Sequence, residues 1–154
     1  NLNRDILSAG VHVNQLSRWR SLKMVTGMPE LADIPSVPDY RDTTQPTDQR
    51  ARAWLDVNCA HCHRANGSAS NSGLYLTFAE SDPVKIGIGK RPVAAGRASG
   101  GNRYDIEPGN ADKSILWNRV KSVEPGVMMP ELGRSLPDQD AIDLLRDWIN
   151  SIEN

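Results

Sequence analysis

The sequence predicts an all-α fold: a small helical domain with long irregular loops, preceded by an N-terminal extension. Three observations lead there. Ala141, Leu144, Leu145, Trp148, Ile149 and Ile152 recur at i, i+3, i+4 and i+7 spacing, the mark of an amphipathic helix. Pro137 ahead of it and acidic residues in its first turn place that closing helix at Asp138 to Ile152. Arg50 to Asn58 also reads as helix, with Thr47 as its N-cap and an end near Cys62. Between Arg64 and Gly109, by contrast, lie eight of the twelve glycines, a density that leaves no room for long helices.

The remaining elements follow in chain order. Residues 1 to 45 form the extension, in which Ile6, Leu16, Trp19, Leu22 and Val25 fall loosely at helical intervals until Gly27 and Pro29 break the pattern. Pro29, Pro35, Pro38 and Pro46 then mark an extended linker. Because a free linker has no use for Trp19 within an apolar pattern, the extension is expected to dock on the body, residues 46 to 154. Asp112 is the expected cap of a short helix reaching Lys121, with Ile115, Leu116, Arg119 and Val120 along one edge. At 154 residues the chain is one domain, or one domain plus an extension. No apolar run approaches the roughly 18 residues that a membrane-spanning helix needs.

Chemistry is concentrated in Cys59-Ala60-His61-Cys62-His63, which holds both cysteines of the chain. C-x-x-C-H is the attachment signature of c-type haem. On a helix, Cys59 and Cys62 lie at i, i+3 and His63 at i+4 from the first, so two thiols and one imidazole share a side. Each thiol can add to a haem vinyl group, and the imidazole then reaches the iron. A thioredoxin-type pair would want a strand before the motif, where helix is expected. Zinc would want four ligands of His, Cys or carboxylate type, yet outside the motif the one remaining His is His12 and there is no second Cys pair. With 38% hydrophobic and 5% aromatic residues the core is thin, and one covalent haem would supply the missing apolar volume. It would also explain a long loop with little structure of its own, wrapped around the haem edge.

A second iron ligand is legible downstream. Pro125-Gly126-Val127-Met128-Met129-Pro130 places a thioether in a loop that cannot continue as helix at Pro130. CAHCH on a helix, a Met-Pro loop some 60 residues later and a closing amphipathic helix together resemble a monohaem class I-type cytochrome c module. Arg50 to His63, Lys90 to Arg97 and Glu124 to Arg134 are similar, more specifically, to such modules fused to larger secreted bacterial redox or carbohydrate-active proteins. The resemblance implies His63 and Met129 as axial ligands, since a Met directly before Pro is the usual distal arrangement in small cytochromes c. Met128, and under the blander reading Met129 too, is adaptable apolar filler. The resemblance also implies that the closing helix crosses the haem-bearing helix, with Trp148 opposite Ala51 or Ala53. Trp54 and Trp117 read as core residues, with electron relays as the alternative. One departure stands out. The family's Gly-Pro-x-Leu, whose Pro carbonyl accepts the proximal imidazole N–H, is here Ser72-Gly73-Leu74, which leaves the orienting group to a neighbouring carbonyl.

Net charge is −1, which argues against a nucleic-acid partner. Among the cations Lys85, Lys90, Arg91, Arg97 and Arg103, the planar forks of Arg91, Arg97 and Arg103 suit a haem propionate; the alternative is a solvated surface. His61 is expected to face solvent. The expected function is outer-sphere transfer of single electrons by a non-enzymatic carrier with a filled His/Met iron site. A five-coordinate haem that binds a small gas or peroxide, and a structural interaction module, are the alternatives. The resemblance implies a redox partner protein, either a copper polysaccharide monooxygenase or a quinone-dependent sugar dehydrogenase. It also implies a periplasmic or secreted location, where haem c is attached. The abrupt start at Asn1 suggests a monomeric module cut from a longer chain whose precursor carries the export signal.

Overall fold

The computed structural model describes residues 2–153 and divides into two compact units, one ending at Pro38 and the other beginning at Asp39. The division thus falls seven residues before the boundary expected at 45/46.

The first unit corrects the all-α reading. Strands β1 (Asp5–Ser8) and β2 (Val11–Asn14) form an antiparallel hairpin in the register Asp5↔Asn14 to Ser8↔Val11, so the chain is of mixed α/β type. Ala9 and Gly10 join them with φ of 52° and 80°, the left-handed pair of a two-residue turn whose twist matches the strands. Ile6, read from sequence at a helical interval, therefore sits in a strand. Asn14 ends β2 and caps the next element, accepting hydrogen bonds from the N–H groups of Leu16 and Ser17 at the start of α1 (Gln15–Ser21). A single 3-10 turn, Leu31–Asp33, follows.

The second unit carries α2 (Thr47–Asn58), α3 (Pro83–Ile86), α4 (Ile115–Lys121) and α5 (Gln139–Ser151). Helices α2 and α5 pack together, and Leu55, Leu145 and Ile149 are fully enclosed in a core shared with Trp54, Trp117 and Trp148. The Trp148 indole N–H donates to Asp48 of α2 at 2.9 Å and the Trp117 indole N–H to the Ile142 carbonyl at 3.0 Å. Helix α2 stops at Asn58, four residues short of the expected end, and Pro46 rather than Thr47 is its cap. Asp112 caps nothing: a 3-10 turn at Ala111–Lys113 comes first, capped by Asn110, and α4 begins only after Ser114. The first amides of α4 are instead taken up by the Tyr104 and Asp105 carbonyls, to which Ile115 and Leu116 donate.

The glycine-rich stretch is strapped down rather than loose. Arg52 of α2, 8% exposed, donates to the carbonyls of Thr77, Phe78 and Glu80, and Asp56 of the same helix accepts from Phe78 N–H. Further on, Lys90 and Asp105 form a largely buried ion pair at 2.9 Å.

Asp138 joins three parts of this unit. One carboxylate oxygen accepts from the Tyr40 hydroxyl (2.8 Å) and the Trp54 indole (3.4 Å), and the other caps α5 at Ala141 N–H. Burial opposes its ionisation, but the bonds from Tyr40, Ala141 and Trp54 outweigh that and hold the carboxyl below its usual range. The Tyr40 hydroxyl, pushed up to about 12 by burial and by Asp138, remains a donor. A depressed folded pKa gives stability that is present above the unfolded value of about 4 and lost as pH falls. Asp138→Ala is therefore expected to cost about 1–3 kcal/mol at neutral pH. In thermal melts the gap to the wild type should narrow toward pH 3; a gap independent of pH would contradict this account.

Candidate functional site

The C-x-x-C-H residues sit just beyond the C-terminus of α2, in a tight turn that keeps helical bonding without being helix. Cys59 caps α2 through a hydrogen bond to the Leu55 carbonyl, and His63 N–H returns to the Cys59 carbonyl at 2.8 Å. That i to i+4 bond carries one turn of helical backbone through the motif. After the motif the backbone doubles back. Ala69 N–H donates to the Cys62 carbonyl, and Gly67 passes so close that a Cβ there would lie 2.0 Å from that oxygen. Only glycine fits.

A cavity of about 520 Å³ opens beside this turn. Cys59, Cys62 and His63 line one side, Met129 and Pro130 another, and Leu74, Leu76, Ile115, Leu116 and Val120 supply apolar wall. Met128 does not line it. The volume lies within the range of small-molecule sites, and the mixture of apolar wall with a few convergent polar groups is typical of them. Met129 is held by the backbone, its N–H donating to the Arg119 carbonyl at 3.0 Å. Two arginines fasten the rest of its loop to α4: Arg119 Nε donates to Val127 O, and Arg134 donates to the carbonyls of Val120 and Ser122.

The electrostatics suit neutral donors. The Cys59 residue is only partly buried, yet burial around its thiol, with Cys62 nearby, pushes the pKa up to about 12. A redox-active C-x-x-C pair needs the opposite shift. His63 is lowered, first by burial and then by the positive charge of Arg119, which leaves a neutral imidazole at pH 7. No protein-family model, curated protein or solved structure matches the chain. The local chemistry must carry the assignment.

Each residue singled out from the sequence has a place. Cys59, Cys62, His63 and Met129 meet at the cavity; His61 is exposed. Arg91, Arg97 and Arg103 do not line it. Arg97 pairs with Glu124 at 2.7 Å and donates to Pro125 O, while Arg103 lies over the Tyr104 ring. The cation that does line the cavity is Arg119, its side chain 19% exposed and its pKa lowered by burial. Sequence reasoning passed over it as part of the apolar edge of α4. It also passed over Asp105, the buried partner of Lys90, which contributes to the same wall. Among the described residues no three His, Cys, Asp or Glu side chains gather as an all-protein metal cage. The donor set fits a haem: two thiols at C-x-x-C spacing, an imidazole, a thioether and one half-buried guanidinium around an apolar space.

Proposed function

We propose that this chain binds one haem c, through thioether bonds from Cys59 and Cys62 with His63 and Met129 as axial ligands, and passes single electrons to and from a redox partner. The observation that carries the reading is that these four residues, drawn from chain segments some 70 positions apart, line one cavity. Such a group, when bound, supplies an iron that takes up and releases one electron. The chain's own part is to hold the two axial donors, to exclude water with the apolar wall, and to set a positive charge at Arg119 where a propionate carboxylate would pair with it. Met129 in the wall favours a filled sixth position over the open iron of a gas- or peroxide-binding haem.

At the cavity rim Val93 and Leu132 are 68% and 86% exposed. An apolar rim of this kind suits the small, transient contacts of redox encounters. The resemblance noted above points to a copper polysaccharide monooxygenase or a quinone-dependent sugar dehydrogenase as partner, in a periplasmic or extracellular setting. Among the described residues no helix is long and apolar enough to cross a membrane.

Export of the chain together with a haem c maturation system tests the proposal. The protein should keep the mass of one haem through denaturation and show reversible oxidation and reduction by absorbance. Cys59→Ser/Cys62→Ser should lose the covalent haem entirely. A wild-type chain that emerges without haem under these conditions refutes the assignment.

A further inference from the structure

We infer that Ser72 is the positioning residue for His63, a hydroxyl that fixes which ring nitrogen carries the proton and tunes how strongly the other can donate. The inference rests on the reading of His63 as an iron ligand.

Ser72 ends the 3-10 turn Ser70–Ser72, and Gly73, at φ 66°, turns the chain away after it. Its Oγ lies 3.1 Å from His63 Nδ1. By itself that distance leaves the direction of the bond undecided, because a hydroxyl and a ring nitrogen can each donate or accept. Two other bonds decide it. The hydroxyl proton goes to the Ala69 carbonyl at 2.7 Å, and the Leu74 N–H donates to the same oxygen at 3.2 Å. A hydroxyl has one proton and two acceptor positions. With the proton committed to Ala69, the oxygen accepts from both Leu74 and His63. His63 therefore carries its proton on Nδ1, and Nε2 keeps a free lone pair.

A ligating histidine usually donates its second N–H to a carboxylate, a carbonyl or water, which fixes the ring and raises its basicity. Here the acceptor is a neutral hydroxyl that already receives a second hydrogen bond. It pulls less on the Nδ1 proton than a carboxylate would, so the imidazole is a correspondingly weaker donor. The turn itself is set by backbone bonds: Ser72 N–H to Ala69 O, and Ala69 N–H to the Cys62 carbonyl. The acceptor is thus tied rigidly to the same turn as the ligand.

The test uses the haem-loaded chain. Ser72→Ala removes the acceptor and should raise the reduction potential, since a poorer donor stabilises the ferric state less. It should also speed exchange of the His63 Nδ1 proton with solvent several-fold, as seen by NMR in the ferrous protein. Ser72→Asp, offering a stronger acceptor, should lower the potential, and Ser72→Thr should restore wild-type values. A merely structural role would lower the melting temperature of the Ala and Asp variants alike without moving their potentials in opposite directions. Potentials unchanged in both variants, or shifted the same way, overturn the inference. If the purified chain carries no haem, the functional reading fails, and the ring nitrogen shifts of His63 decide the hydrogen bond separately. An Nδ1–H tautomer that gives way to Nε2–H in Ser72→Ala supports the positioning role, and a tautomer indifferent to the substitution refutes it.

Discussion

In the haem-loaded chain proposed above, Met129→Ala is expected to abolish the weak long-wavelength charge-transfer band of an iron–thioether bond and to open the iron to carbon monoxide and cyanide. Met129 lines the cavity and Met128 does not, although the two are adjacent in sequence. The backbone explains the choice: Met129 N–H is tied to the Arg119 carbonyl of α4, whereas Met128 N–H turns back to Glu124 within its own loop. Loss of the thioether should also lower the reduction potential by an appreciable part of the roughly 0.8 V that axial ligation commands. Met128→Ala should leave both properties unchanged. Loss of the band in Met128→Ala with its retention in Met129→Ala would show that the loop presents the other sulfur.

Trp148→Ala should be the most damaging single change to the fold, costing about 3–5 kcal/mol. In a unit of this size that corresponds to a fall of about 10 °C or more in melting temperature. Trp148 is 3% exposed at the packing of α5 on α2 and also donates its indole N–H to Asp48. Magnitudes separate the two roles. Asp48 is exposed, so the hydrogen bond is worth about 1 kcal/mol or less, and burial of the ring supplies the rest. Trp148→Phe, which keeps most of the ring volume, should therefore recover more than half of the loss, and Asp48→Ala should cost far less than Trp148→Ala. Equal losses in Asp48→Ala and Trp148→Ala would mean that the hydrogen bond, not the packing, joins the helices.

What could be read from the sequence was whatever repeats locally. The apolar period of α5, with Pro137 ahead of it and acidic residues in its first turn, placed that helix to within a residue, because thirteen residues of consistent pattern leave few alternatives. The hairpin was missed for the converse reason. Its strands are four residues each, too short for alternation to outweigh a loose helical spacing, and Ala9, a poor signal for a left-handed turn, stands where Asn or Gly would announce one. At the candidate site, the C-x-x-C-H spacing singled out Cys59, Cys62 and His63 and the Pro after Met129 singled out its loop, and all four residues line one cavity. Charge was not legible in this way. Arg91, Arg97 and Arg103 read as a cluster of cations, but whether a guanidinium faces the cavity is decided by where its partners lie: Arg97 is drawn to the distant Glu124 and Arg103 lies over its neighbour Tyr104. Arg119 faces inward because α4 turns that side to the cavity, and nothing in its local sequence says so. Ser72 was likewise hidden, since its role depends on three hydrogen bonds that close only when the turn after His63 has formed.

The two walls of the cavity are not equally secured. His63 follows directly on α2 and shares its anchorage in the core, whereas the chain from Ser122 to Pro137 has no regular structure and leaves Leu132 and Leu136 largely in solvent. It is held by a few arginine–carbonyl bonds and the amide of Met129 at α4, and by Arg97 through Glu124 and Pro125, with little buried apolar surface of its own beyond Val127. Segments so lightly attached open at a small fraction of the free energy needed to unfold a core. It follows that, if the proposed haem is bound, heat or denaturant would free the Met129 thioether well before α2 and α5 separate. The protein would fail in two stages, and in the interval between them the cavity would keep His63 in place while Met129 no longer faced it.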